Sequence, residues 1–211
     1  MGMKMESLDS FMIRLASPSP APGGGAASAS VSIVAASLSS MVAGLTIGKK
    51  GYEEHQELMQ KILARSNKIT GELRKLMEDD EKAFNEIVSA WKLPKSSDHE
   101  KEIRAVAIQN AAKLAIKVPW EIAEVSREIL QNAKSLAEYG NKNAVTDAGC
   151  ALEFSLAALK GAIQNITINL KSLNDKAMVE SEKIKIKNFL DDCEKIYNAG
   201  MREVQNKIQM E

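Results

Sequence analysis

Along most of the chain apolar residues recur at steps of three and four, the spacing that gathers them on one face of an α-helix. The pattern predicts helices near 7–15, 25–47, 51–92, 98–138, 142–172 and 176–209, the fourth bent at Pro119. Chain-breaking residues mark the interruptions: Gly48 and Gly51, Leu93-Pro94, Gly140, and Asn174-Asp175. No run alternates β-branched or aromatic residues with polar ones at period two, so no strand is expected. The expected fold class is all-α. It is a helical bundle of about six helices in one domain over 1–211, with a buried small-residue central helix and a homodimer interface.

The central helix is expected from segment 26–47, which carries no charge and is rich in Ala and Ser. Its length would span a bilayer, but six serines and the lack of an aromatic belt favour a buried helix of a bundle instead. Small residues allow close helix approach, which makes the same segment the best candidate for a subunit interface. It is preceded by one concentrated loop, Ser17-Pro18-Ser19-Pro20-Ala21-Pro22-Gly23-Gly24-Gly25. With Gly23, Gly24 and Gly25 free of side chains, the backbone N–H groups at the helix start can face an anion. The plainer reading is an ordered entry into the helix.

The third helix holds a carboxylate out of place. Its apolar seam runs Ile62, Ile69, Leu73, Leu76, Ala83 with Phe84, Ile87 and Trp91. Position 80 lies on that seam and is Asp80, whereas Asp79 shares a stripe with Glu72, Lys75, Lys82 and Glu86. A carboxyl withdrawn from water without partners costs several kcal/mol, roughly, and its pKa rises, which suits it to proton transfer near neutral pH. The plain alternative is a salt bridge or a cap for a neighbouring helix.

The fifth helix pairs an apolar seam, Val145 to Leu170, with a small polar stripe: Ala144, Asp147, Ala151, Ser155, Ala158, Ala162, Asn165 and Asn169. Such a stripe suits the wall of a pocket that reads a polar heterocycle, or simply close helix packing. Asn165 and Asn169 are one turn apart. Asp147 lies about 27 Å of helix from Asn165, so the two cannot touch one small group on the same subunit. Gly140 is expected to end a helix in a left-handed conformation, with Asn141 or Asn143 capping the next. Lys49, Lys50, Lys92 and Lys95 sit at helix ends, where they can hold an acidic substrate tail or simply be solvated.

Composition narrows the function classes. Lys plus Arg and Asp plus Glu are both 28, so no global basic field exists for nucleic acid or an anionic membrane. Two Cys and two His, widely separated, do not suggest a disulfide framework or a zinc cluster. The N-terminus has no apolar stretch of the export type, so a cytoplasmic, reduced location is expected.

Taken together, the Pro/Gly loop 17–25 with its small-residue helix, Ile47-Gly48-Lys49-Lys50, Asp80-Glu81-Lys82-Ala83-Phe84, Lys92-Leu93-Pro94-Lys95, Gly140-Asn141-Lys142-Asn143 with Asp147, and Asn165-Ile166-Thr167-Ile168-Asn169-Leu170 resemble the formiminotetrahydrofolate cyclodeaminase family. That family includes stand-alone methenyltetrahydrofolate cyclohydrolases. The resemblance implies an all-helical, dimeric enzyme acting on tetrahydrofolate derivatives without metal or cofactor, with Asp80 as catalytic acid/base. It implies a cyclodeaminase, closing the methenyl bridge with loss of ammonia. The cyclohydrolase reaction, water adding to the methenyl carbon, is the alternative, and a non-catalytic helical dimerisation module is the reading outside enzymes. Asn141, Asn143, Asp147, Asn165 and Asn169 are the expected readers of the pteridine. Lys49, Lys50, Lys92 and Lys95 are the expected holders of a polyglutamyl tail, in part across a subunit boundary. A separate formiminotransferase is a candidate partner.

Overall fold

The computed structural model describes residues 6–209. The stretch 1–5, read above for export signals, lies outside the described residues, as do 210 and 211. Six helices follow one another: α1 (Leu8–Leu15), α2 (Gly24–Gly44), α3 (Gln56–Trp91), α4 (Asp98–Tyr139), α5 (Val145–Leu170) and α6 (Lys176–Gln209). Short 3-10 turns at Glu53–His55 and Lys142–Ala144 lead into α3 and α5. No strand occurs among the described residues.

Helix α2 packs against α3, α4 and α5, while α6 closes over α4 and α5. The α3 seam is realised from Ile62 to Ile87, with Ser66 filling a gap in it and Met59 extending it by one turn. Every residue of the α5 seam is buried. Each fully withdrawn Leu or Ile, such as Leu73, Ile69, Leu152 and Leu159, contributes roughly 1.5–3 kcal/mol. The many i,i+3 and i,i+4 ion pairs on the outside, such as Lys183–Glu180, are exposed and worth about 0.2–1 kcal/mol each. The core therefore holds the bundle, and the surface charges contribute little.

Small residues set the closest approach. A side chain at Gly161 would meet Ser28 Oγ at 2.4 Å, and one at Gly24 would meet Asn165 at 3.0 Å. These two contacts run α2 and α5 antiparallel. The middle of the small polar stripe of α5, from Ala151 to Ala162, is buried in this packing, so there the plainer reading holds. The all-round burial expected of α2 is only partly met. Val34, Met41 and Leu45 are about half exposed and form an open, uncharged stripe. By length and composition α2 would also cross a membrane, but half of its apolar window is buried inside the bundle.

Gly140 departs from its expected role. It ends α4 at φ −79°, ψ 174°, an ordinary extended conformation. What it supplies is room, since a Cβ there would lie 2.4 Å from the Leu136 carbonyl oxygen and 3.2 Å from Val42. Left-handed glycines are found instead at Gly48 (φ 72°) and Gly51 (φ 89°), where the chain turns from α2 towards α3.

Pro119 lies inside α4, which runs through it from Asp98 to Tyr139. Having no N–H, it cannot bond the carbonyl of Ala115 four residues back. Asn169 of α5 takes over, its Nδ2 donating to Ala115 O at 2.7 Å.

Candidate active site

Helix α2 begins at Gly23, which has no side chain with which to cap it. The cap comes from another helix. The backbone N–H of Ala26 donates to Asp80 Oδ2 of α3 at 3.0 Å. The approach is possible only because residue 25 is glycine: a Cβ there would stand 2.1 Å from Asp80 Oδ1. Asp80 is therefore a tertiary helix cap, the plain alternative considered for it, and it is also a half-buried carboxyl in a cleft. Its second oxygen, Oδ1, has no hydrogen-bond partner among the described residues. Asp79 behaves as its stripe predicts and pairs with Lys82 at 3.1 Å.

The cleft has a volume of about 460 Å³. Gly23 and Gly24 form one edge, Asp80, Phe84 and Trp91 a second, and Asn165, Ile168 and Asn169 a third. Burial raises the Asp80 pKa above the ordinary carboxylate value; the Ala26 N–H opposes this, and the neighbouring Glu81 charge adds to it. Glu81 is itself held by Arg14 of α1, with Nη2 2.5 Å from Oε2. The Phe84 and Trp91 rings and the Asp80 carboxyl thus line a single space.

The two asparagines are oriented by main-chain carbonyls. Asn165 Nδ2 donates to Gly161 O at 2.9 Å, and Asn169 Nδ2 to Ala115 O at 2.7 Å. Each spends one amide hydrogen on a carbonyl, and neither Oδ1 has a hydrogen-bond partner among the described residues. With Asp80 the walls are rich in acceptors, which fits a heterocycle presenting N–H donors.

The remaining candidates lie elsewhere. Lys49, Asn141 and Asn143 meet at the opposite end of α2, about 30 Å away. There Lys49 Nζ donates to Asn141 Oδ1 at 2.7 Å, and Asn141 Nδ2 donates to Leu45 O at 3.1 Å. Asn143 N–H also donates to Asn141 Oδ1, at 3.1 Å, so Asn141 caps the turn as expected. Lys50 and Asp147 belong to this end too. Lys92 caps α3 beside Trp91 without lining the cleft, and Lys95 lines a neighbouring groove. On one subunit the structure brings together Asp80, Gly23–Gly25, Asn165 and Asn169, and it leaves the lysines, Asn141, Asn143 and Asp147 outside. Sequence reasoning missed Lys171 and Ile168 as wall residues. Ile168 carries a usable signal, being apolar yet off the α5 seam.

A family model described as formiminotransferase-cyclodeaminase matches residues 7–188. The chain belongs to that family. It is 36% identical to the methenyltetrahydrofolate cyclohydrolase of Methylorubrum extorquens, over 96% of this chain and 98% of that one. It is 29% identical to the formimidoyltransferase-cyclodeaminase of Rattus norvegicus over 89% of this chain. It spans only about a third of that relative's length, 35%. Among solved structures, the formiminotetrahydrofolate cyclodeaminase of Thermotoga maritima superposes with a TM-score of 0.80. It shows 30% identity and covers 97% of this chain and 96% of that one. The all-helical fold and the folate class of this family thus extend to the chain, and it is an enzyme of cyclohydrolase or cyclodeaminase kind.

Proposed function

We propose that the chain hydrolyses 5,10-methenyl-tetrahydrofolate to 10-formyl-tetrahydrofolate, with Asp80 as the proton carrier. The observation that supports the chemistry is the half-buried Asp80 carboxyl, which lines the cleft with one oxygen fixed on Ala26 N–H and the other without a hydrogen-bond partner among the described residues. Asp80 Oδ1 accepts a proton from water as the water oxygen bonds to the methenyl carbon. The neutral adduct keeps both carbon–nitrogen bonds. Asp80 then returns the proton to nitrogen five, the bond from that nitrogen to carbon breaks, and the hydroxyl becomes the formyl carbonyl as it releases its proton to solvent. Burial serves both steps, since a carboxyl of raised pKa takes and gives a proton with less bias.

The choice of water over an internal nucleophile is supported by the relative of matching length, the cyclohydrolase. The structural neighbour favours the second reading, the cyclodeaminase reaction to which the sequence resemblance first pointed. There nitrogen ten attacks the formimino carbon and Asp80 hands its proton to the departing ammonia. One experiment separates them. Decay of methenyl absorbance is measured beside ammonia release from 5-formimino-tetrahydrofolate, each with wild type and Asp80→Asn. Methenyl decay alone supports the hydrolase. Ammonia release alone supports the deaminase, and neither activity would remove the enzymatic reading.

In this reading the pteridine lies between Phe84 and Trp91 with its N–H edge towards Asn165 and Asn169. A homodimer is part of the proposal. Val34, Met41 and Leu45 of α2 form an open apolar stripe, and Phe154 of α5 is a further exposed apolar group. Sedimentation at micromolar concentration should give twice the 23.0 kDa mass, and Met41→Lys should halve it. Such a pairing would be the only route by which Lys49, Lys50, Asn141, Asn143 and Asp147 reach the cleft, from the partner subunit.

A further inference from the structure

Next to Asp80 on α3, a second carboxylate lines the cleft. Glu81 belongs to the same wall as Asp80 and Phe84. It takes no part in the proton steps assigned to Asp80. Its side chain is 26% exposed, so it is partly withdrawn from water and its charge is only partly screened. Oε2 accepts from Arg14 Nη2 at 2.5 Å, and Oε1 has no hydrogen-bond partner among the described residues. Arg14 reaches Glu81 from α1 and is not itself a wall residue of the cleft.

The ion pair does not neutralise this end of the cleft. Arg14 is shared, since its Nη1 also donates to Glu6 Oε2 at 2.8 Å. Two carboxylates thus divide one guanidinium. Lys82, next along α3, is engaged by Asp79 at 3.1 Å and by Glu78 at 3.9 Å. The partial positive charge at the start of α2 is met by Asp80 through Ala26 N–H. Lys171 is the one cation among the described lining residues. It lies about 9 Å of helix beyond Asn165, the residue that stands against Gly24. Around Asp80 the cleft therefore carries an excess of negative charge.

The folate reading gives that sign a use. In 5,10-methenyl-tetrahydrofolate the bridge carbon draws on the lone pairs of nitrogens five and ten, and the N–C–N unit is an amidinium cation. Addition of water with loss of a proton discharges it, and the 10-formyl product is neutral there. Resting on that reading, we infer that Glu81 is a specificity-determining carboxylate of the cleft, which selects the cationic N–C–N bridge of the substrate over the neutral formyl product. Asp80 moves the proton, and Glu81 supplies a fixed charge beside it. The attraction acts while the bridge is intact and vanishes as it opens, so the residue that assists capture does not hold the product. A protonated 5-formimino group is an amidinium too, so the preference is the same for hydrolysis and for deamination.

The test separates charge from fastening, because the Arg14–Glu81 pair also ties down α1, in which Phe11 is the buried residue. Binding of 5,10-methenyl-tetrahydrofolate and of 5-formyl-tetrahydrofolate, which has no charge at nitrogens five and ten, is measured by stopped-flow quenching of tryptophan emission. The protein is the Asp80→Asn variant, in which turnover is silenced and position 80 cannot change its charge, alone and with Glu81→Gln or Arg14→Gln added. The readout is the ratio of the two dissociation constants. Glu81→Gln should cut the preference for the cation about fivefold, the upper range for a partly exposed ion pair. Arg14→Gln should raise it about twofold, since the carboxylate is then unshared. A mere fastener of α1 predicts instead that both variants weaken both folates alike with the ratio unchanged, and that result would overturn the inference. With Asp80 intact, Glu81→Gln should raise KM and leave kcat undiminished. Both folates bound with a ratio near one throughout would discard the role of Glu81 and leave the folate reading in place. Binding of neither folate would remove the reading and the inference together.

Discussion

The two ends of α2 attract the same kind of attention in the sequence, glycines beside amides and charges, yet they are built to opposite effect. At the C-terminal end the polar groups consume one another. Lys49 donates to Asn141, Asn141 donates to Leu45 O, and Asn141 N–H donates to Thr46 Oγ1 at 2.9 Å. Lys142 N–H closes the cluster on the Tyr52 hydroxyl at 3.0 Å. At the N-terminal end each polar group keeps something in reserve: Asp80 one oxygen, Asn165 and Asn169 their carbonyl oxygens. The first arrangement is a latch and the second a site. The difference lies in unspent hydrogen-bonding capacity beside a cavity, not in residue type.

The largest effect should come from removing the proton carrier. Asp80→Asn is expected to lower kcat by roughly 10²–10⁴-fold, the range for a general acid/base, with the helical content by circular dichroism unchanged. Loss of less than tenfold would make Asp80 a cap and nothing more.

Next comes Gly25→Ala. The added Cβ falls on Asp80 Oδ1, so the carboxyl must leave Ala26 N–H or α2 must shift. Misplacement of a reacting group by about 1 Å costs on the order of 10²-fold in rate, and the overpacking costs about 1–3 kcal/mol. Steady-state kinetics and thermal melting should both register it.

The latch should respond in stability alone. Asn141→Ala strands the Leu45 carbonyl and the Asn143 N–H, at a cost of about 1–3 kcal/mol. The melting temperature should fall by roughly 2–4 °C for each kcal/mol, while kcat of the folded enzyme holds. A fall in kcat without a fall in melting temperature would reverse the contrast and point to this end reaching a partner's cleft.

The smallest effect is a pH slope. The folded-state pKa of Asp80 is raised, so between the unfolded and folded values the native state binds the proton more tightly. Asp80 then detracts from stability as pH rises through that window, and the loss is complete above the folded pKa. Asp80→Asn should therefore be more stable than wild type at neutral pH, with the advantage vanishing in acid. Urea titrations at several pH values would show it, and an advantage that grows in acid would contradict the burial of the carboxyl.

Periodicity alone located the helices to within a few residues, because a long bundle helix repeats its core face many times. It also singled out Asp80, since one acid on an apolar seam breaks a rule obeyed by all its neighbours. Trp91 shows the limit. It lies on the same seam but is half-exposed, because the seam outruns the helices that cover it and opens into the cleft. Gly25 was legible as a residue without a side chain that lets helix N–H groups face an anion; that the anion is a carboxylate of the same chain 55 positions on was not. Lys49 and Asn141 carried the right chemistry for ligand binding, and no local pattern reveals that such groups have already found each other.

The Ala115 carbonyl ties together two residues that a sequence treats as strangers. Pro119 creates the vacancy and Asn169 fills it, so the helix proline and the cleft amide form one unit. Replacing Asn169 while keeping Pro119 leaves a buried acceptor stranded. Replacing Pro119 restores the helix's own donor and releases the amide to swing, with its acceptor no longer aimed at the substrate. Drift at either position is then constrained by the other, and a change in what the cleft recognises can begin in a helix that never touches the reacting carbon.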